Sequence, residues 1–201
     1  MRIAILTPYH GDVRAEYAFS LAHLTQHVQR TRPGWTVKLW MQSSSSLVKL
    51  RTQLATDALA WGADWMLWLD SDHLFPPTTL ERLLAPGHDV IGANYRRRDS
   101  PYLPVAATQT APIDTTAEKA ARQLIEPAAA LGAGVLLTRA SIFRRIPRPW
   151  FAIVEDGAGG FISEDGYFML KLAGAGIVPH IDHALSWEVG HIGMQTVSFQ
   201  S

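Results

Sequence analysis

Five consecutive apolar residues, Trp65 to Leu69, run without a break into Asp70, Ser71 and Asp72. A strand with no polar face is covered on both sides, which is the condition of a strand inside a largely parallel sheet flanked by helices. The surrounding sequence agrees. Upstream, Leu47, Leu50, Leu54, Ala58 and Trp61 recur at steps of three and four, the stripe of a helix buried on one face, and Gly62 follows as a stop. Downstream, Thr78 to Leu84 reads as a short helix behind Pro76 and Pro77, and Asp89 to Ala93 as another strand.

The same alternation extends in both directions. Ile3 to Leu6 reads as a first strand, Val13, Tyr17, Leu21, Leu24 and Val28 as the inner face of a helix, and Thr36 to Met41 as a strand after the Pro33–Gly34 break. Towards the carboxyl end come a strand at Gly134 to Thr138, a helix at Ser163 to Ala173 and a strand at Ile177 to Ile181, then a tail containing Gly and His. The expected class is therefore α/β, with a mainly parallel central sheet between helices. Arg96 to about Gln123 has no clean period and reads as loops with a mobile flap.

Composition narrows the chemistry. Eighteen Lys and Arg balance eighteen Asp and Glu, so there is no overall basic field to draw in nucleic acid or an anionic membrane. Cysteine is absent, which removes disulfides, thiol nucleophiles and cysteine-held zinc, and leaves Asp, Glu and His as the ligands for any metal. No stretch approaches the ~18 apolar residues of a membrane helix, and Ile3 to Leu6 is too short for the core of a secretion signal. A cytoplasmic location is the resulting expectation.

Asp70 and Asp72 stand two apart where the central strand stops, so a fully extended chain would aim both carboxylates the same way at a carboxyl edge. Open α/β sheets bind ligands at that edge. Two like charges held together call for a hard divalent cation, Mg²⁺ or Mn²⁺, which also neutralises a diphosphate. The structural alternative is a polar turn in which one of the two aspartates caps the next helix.

In this context the string ADWMLWLDSDHLFPPTTLERLLA resembles the nucleotide-sugar-binding core of GT-A-type glycosyltransferases, in which a strand ends in a D-x-D motif and a helix opens behind a proline. The resemblance runs from Ile3 to Gly193 in short clusters whose order carries it. It implies a GT-A architecture over residues 1–201, with 1–93 as a nucleotide-binding half and 94–201 as an acceptor and catalytic half. It implies a UDP- or GDP-type sugar donor, with Thr7, Pro8 and Tyr9 of ILTPYHGD around the base and Arg51 on the diphosphate. Where such enzymes carry Arg-Asn, this chain has Arg51 and, two positions on, Gln53. Gly132 and Gly134, before the strand of ALGAGVLLTRA, would let backbone approach the donor sugar, or would simply be turn residues.

Ser163, Glu164 and Asp165 open a helix, where serine suits the cap and carboxylates suit the first turn. The family resemblance gives ISEDGYFMLKLAGAG a second role: Asp165, with Glu164 as the other candidate, would be the general base of an inverting transfer. It also makes His191 of WEVGHIG a ligand of the same metal as Asp70 and Asp72. His180 and His183 in HIDH read as partly exposed histidines at a strand end rather than a separate zinc site. Arg96, Arg97 and Arg98 read as a solvated basic loop or as the holder of a phosphate or anionic acceptor, and Trp150 as core or as a sugar platform.

The function expected is a metal-dependent glycosyltransferase acting on an unknown acceptor hydroxyl. Two other readings stay open: a sugar- or nucleotide-binding module on a degenerate GT-A scaffold, and a nucleotidyltransferase. The second would need a basic, glycine-rich early loop, where TPYHGD has one glycine and no lysine.

Overall fold

The computed structural model describes residues 1–98, 100–193 and 196–199; Asp99, inside the segment expected to be loop, and Met194, Gln195, Gln200 and Ser201 of the tail lie outside the described residues. Elements follow in the order β1 (Arg2–Tyr9), α1 (Ala15–Thr31), β2 (Thr36–Ser43), α2 (Leu47–Trp61), β3 (Trp65–Leu69), β4 (His73–Leu74), α3 (Thr79–Leu84) and β5 (Val90–Gly92). The second half contributes α4 (Ala117–Ala121), β6 (Ile125–Pro127), β7 (Val135–Arg139), α5 (Ile142–Arg145), β8 (Val154–Glu155), β9 (Phe161–Ile162), α6 (Glu164–Gly174), β10 (His180–Asp182), α7 (His183–Ser186), β11 (Gly190–Ile192) and β12 (Thr196–Val197).

Seven strands form the main sheet in the order β2-β1-β3-β7-β5-β10-β6. β1 is parallel to β2 and β3, and β5 to β10, while β7 is antiparallel to both its neighbours and β6 is antiparallel to β10. Strands β1, β2, β3, β5 and β10 thus share one direction, the α/β class expected. The antiparallel β7 has a consequence for the site. Its amino end, at Val135, lies opposite Leu69, so the start of β7 reaches the same sheet edge as the carboxyl ends of β1 and β3.

The doubly covered strand is borne out residue by residue. Along β3, Trp65, Leu67 and Leu69 join Ile3 and Ile5 of β1 in a core against α1, with Tyr17, Leu24 and Val28. Met66 and Trp68, with Ala4 and Leu6, join the opposite core of Leu50, Leu54 and Ala58 of α2 and Phe168 and Leu172 of α6. The period of two sends alternate side chains to alternate layers, so the whole run must be apolar. α2 begins where the Ser46 side chain accepts from the Lys49 N–H and ends at Gly62, whose φ of 80° carries the chain out of the helix. Trp150 is buried against Phe143 in the second core.

Beyond Arg96 the chain is anchored. Asn94, fully buried, accepts from the Ala106 N–H and donates to the Ile113 carbonyl and Thr115 Oγ1; Ala106, Ile113 and Thr115 are themselves buried. His183 differs from expectation. It is fully buried rather than partly exposed, because α7 turns it inward onto Thr115 (Nδ1, 2.8 Å) and Glu126 (Nε2, 2.8 Å). His180 stacks on His88 with ring centroids 3.6 Å apart.

Candidate functional site

The central strand ends at Leu69, and the next three residues turn into β4 rather than extend it. The His73 N–H bonds back to the Asp70 carbonyl at 3.2 Å, so Asp70 and Asp72 do not lie on one face of an extended strand. Their carboxylates go to different partners. Asp70 turns to Arg51, whose Nη2 lies 2.9 and 3.0 Å from its two oxygens. Asp72 turns to histidines.

After the turn, β4 pairs antiparallel with β11, and the register sets His73 directly opposite His191. Their rings stack at 4.4 Å with a 16° interplanar angle. A small three-stranded sheet, β12-β11-β4, therefore carries the distant His191 to the acidic turn. Ligand atoms of Asp72, His73 and His191 all lie within 4.8 Å of one another. The metal set expected was Asp70, Asp72 and His191; the set brought together is Asp72, His73 and His191, with His73 in place of Asp70.

The chemistry of these groups fits a divalent cation. His191 Nδ1 is 2.9 Å from the Arg96 carbonyl, which can only accept, so Nδ1 carries the proton. In the neutral ring, Nε2 then presents a lone pair to Asp72 Oδ2 at 3.5 Å, a repulsive contact unless a proton or a cation lies between. Metal-binding histidines are commonly oriented by such a second-nitrogen bond to a carbonyl. His73 is 1% exposed and neither ring nitrogen has a hydrogen-bond partner among the described residues, although Nδ1 lies 3.1 Å from Asp72 Oδ1 outside hydrogen-bonding geometry. Orphaned buried ring nitrogens beside a carboxylate are costly without a ligand. Burial alone would raise the Asp72 carboxyl; only with a proton on the ring nitrogens that face it would His191 and His73 outweigh burial and lower it. Burial lowers His73, keeping it neutral and able to bind a cation.

Gly134 makes room for this cluster. A Cβ there would sit 2.5 Å from His73 Cε1 and 2.6 Å from the Tyr95 hydroxyl, which accepts the Gly134 N–H at 2.9 Å. The glycine expected beside a donor sugar thus serves the protein's own side chains first. Tyr95, which the sequence reading passed over, packs edge-on against His73 at 4.3 Å and His191 at 5.3 Å.

Two cavities meet at this edge. One, of about 490 Å³, is lined by Pro8, Tyr9, His10, Ser44, Ser45, Asp72, His73, Tyr95, Arg98 and His191. The other, of about 540 Å³, is lined by Arg51, Arg97, Gly132, Phe161, Ser163, Glu164 and Asp165. Leu47 and Asp70 line both, so the acidic turn stands between them. Of the residues expected around the base, Pro8 and Tyr9 are on the wall of the first cavity. Thr7 is not: it is fully buried, hydrogen-bonded to the Tyr17 hydroxyl.

Arg51 is neither an exposed helix arginine nor open to solvent. At 1% exposure it spans Asp70 and, through Nε at 3.2 Å, Glu164, and its Nη1 has no partner among the described residues. This separates the two acidic residues of α6. Glu164 is buried on Arg51, and burial raises its carboxyl despite that partner. Asp165 lies half-buried on the cavity wall; its Oδ1 takes the Ser163 hydroxyl and the Gly166 N–H, the latter at 2.8 Å, and Oδ2 makes no hydrogen bond among the described residues. The three consecutive arginines also divide. Arg96 donates to the Tyr102 carbonyl, Arg97 lines the second cavity, and Arg98 lines the first with Nη1 2.9 Å from Asp72 Oδ2.

No family model matches this sequence, and no curated protein matches it. Solved structures do. A197 from STIV aligns over the whole chain and 91% of its own length, at a TM-score of 0.66 and 16% identity. TarS of S. aureus, solved in complex with UDP-GlcNAc, aligns over 90% of this chain and 55% of its own at a TM-score of 0.50 and 16% identity. A Drosophila beta-1,4-galactosyltransferase 7 mutant, solved with manganese, UDP-Gal and xylobiose, covers the whole chain and 71% of its own at 0.49 and 15%. The fold is that of the GT-A class. No helix among the described residues is long and apolar enough to cross a membrane.

Proposed function

We propose that this chain is a metal-dependent glycosyltransferase that moves a sugar from a nucleotide-diphosphate donor, of UDP or GDP type, to an acceptor hydroxyl with inversion. The observation that carries the reading is the convergence of Asp72, His73 and His191 on one sheet edge, beside a cavity walled by Asp165. Residues 1–93 act as the nucleotide half and 94–201 as the acceptor and catalytic half. The GT-A fold, shared with a protein solved with UDP-GlcNAc, supports the donor class.

Asp72, His73 and His191 would hold Mn²⁺ or Mg²⁺; two imidazoles with one carboxylate favour Mn²⁺. When bound, that ion offsets the charge gathering on the departing diphosphate. Tyr9 and Pro8 flank the base, and Tyr9 offers a stacking face. Asp165 is the base. Its Oδ1 is fixed by the helix cap, and Oδ2 takes the acceptor proton as the acceptor oxygen bonds to the anomeric carbon and the carbon–oxygen bond to the diphosphate breaks. Glu164 is a positioning residue, held by Arg51 behind Asp165.

The test is a thermal-unfolding panel of UDP, GDP, CMP and dTDP, with and without Mn²⁺, on wild type and Asp72→Ala. One nucleotide at ~100 times its dissociation constant should stabilise by about 2.7 kcal/mol, a rise of roughly 5–10 °C, only with Mn²⁺ and only with Asp72 intact. Stabilisation of Asp72→Ala equal to wild type, or none for any nucleotide, overturns the reading.

A further inference from the structure

Arg98 is more than half exposed, its side chain at 55%, and yet it is aimed inward. Its Nη1 lies 2.9 Å from Asp72 Oδ2, the oxygen that also faces His191 Nε2 at 3.5 Å. That oxygen belongs to the convergent ligand set. The guanidinium therefore supplies, from solvent, the positive charge that the carboxylate and the two lone-pair-bearing rings call for. The base of its loop is held independently: the Arg97 N–H bonds to the Leu103 carbonyl, the Arg96 side chain to the Tyr102 carbonyl, and the Arg96 carbonyl takes His191 Nδ1. The Arg98 side chain can therefore leave Asp72 Oδ2 without moving the base of the loop.

Resting on the metal-dependent reading above, we propose that Arg98 keeps the place of the divalent cation on Asp72 and, on giving it up, becomes a ligand of the donor's diphosphate. An ion pair this exposed changes an equilibrium by no more than about fivefold, so Arg98 yields readily. It lines the same cavity as Tyr9 and Asp72, so on release it is already beside the site. The planar fork matches two phosphate oxygens, and the dication it yields to is what brings those oxygens to the turn. Cation and diphosphate then bind as a coupled pair, because the second arrival gives Arg98 the partner that the first took away.

This predicts effects of opposite sign from one substitution, which loss of a merely structural arginine would not produce. Binding of Mn²⁺ alone is followed by the electron paramagnetic resonance of the free ion, and binding of pyrophosphate in saturating Mn²⁺ by calorimetry. The proteins are the wild-type chain, Arg98→Gln and Arg98→Lys. Arg98→Gln should bind Mn²⁺ about two- to fivefold more tightly and pyrophosphate about tenfold more weakly. Arg98→Lys, which keeps the charge but not the fork, should bind Mn²⁺ as wild type does and pyrophosphate more weakly. Equal or weaker Mn²⁺ binding by Arg98→Gln, or unchanged pyrophosphate binding, overturns the role given to Arg98 and leaves the metal-dependent function standing. Absence of Mn²⁺ binding by wild type and Arg98→Gln alike overturns that function itself.

Discussion

Arg51 grips Asp70 by both carboxylate oxygens, at 2.9 and 3.0 Å, from inside the protein. With Nε on Glu164 at 3.2 Å, one side chain ties α2 to the end of β3 and to the start of α6, 113 residues further on. The two acidic clusters of the sequence are thus fastened to each other through a buried cation. Removing that cation strands two carboxylates where burial already raises both. Arg51→Met should lower stability by about 3–5 kcal/mol. Adding Asp70→Asn and Glu164→Gln should restore a large part of the loss, since the uncompensated charges then disappear. Urea midpoints of the single and triple variants measure both; a triple variant less stable than Arg51→Met would show that the ion network is not what the arginine supports.

Gly134 is a packing requirement with a functional edge. A methyl group there meets His73 Cε1 at 2.5 Å and the Tyr95 hydroxyl at 2.6 Å, and it cannot be absorbed by a flexible chain end because both rings are buried. Gly134→Ala should cost about 1–3 kcal/mol and displace His73 from His191. Mn²⁺ affinity should fall about tenfold or more while Gly174→Ala, at a glycine with open space around it, leaves Mn²⁺ binding unchanged. Direct Mn²⁺ titration of both variants decides it.

His183 gives the fold a pH dependence separate from the site. Burial lowers its titration from the ordinary 6.5, with the Glu126 bond opposing, Lys119 adding to the depression, and Asp182 nearby opposing it. Glu126 accepts from Nε2–H, so Nδ1 accepts from the Thr115 hydroxyl and the ring is neutral in the folded state. The unfolded chain takes up the proton first, and stability contributed by neutral His183 is therefore full above about pH 6.5 and is lost as pH falls below it. Chemical denaturation at pH 7.5 and 5.5 should show a drop that is smaller in His183→Gln. An equal drop in the variant would assign the effect to His73 or His180, which burial also lowers.

How far the sequence was legible follows from what each pattern encodes. The five-residue run of β3 has no polar position, and both its faces are buried; the helical stripe of α1 at Tyr17, Leu24 and Val28 is its inner face. Strand direction is not written in such a run, so the reversal of β7, which brings Gly134 to the site, is a product of topology. The D-x-D spacing leads to this turn, but the two carboxylates part there, because spacing-two logic needs an extended chain and the His73 N–H closes a turn on Asp70. His73 stood one residue past the motif, and only its register opposite His191 makes it a ligand candidate. Arg51 occupies an inward position of α2, where periodicity alone expects an apolar residue. Tyr95 lay just ahead of three arginines that drew the charge-based reading.

Asp165 and Glu164 are adjacent carboxylates on one helix start with different surroundings. Glu164 is buried against Arg51, whereas Asp165 has one oxygen in the cap and the other, on the cavity wall, without a hydrogen bond among the described residues. An amide at position 165 can keep the cap through its oxygen but has no basic atom to take a proton. Asp165→Asn should therefore bind the donor nucleotide and Mn²⁺ as wild type does, yet transfer sugar about 10²–10⁴-fold more slowly. Glu164→Gln should weaken stability first and slow transfer less, because its loss acts through the placement of α6. The measurement is nucleoside diphosphate released on transfer, with nucleotide binding followed in parallel. Transfer by Asp165→Asn at the wild-type rate would remove the aspartate from catalysis. Loss in Glu164→Gln matching that of Asp165→Asn, with stability intact, would move the proton to the buried carboxylate.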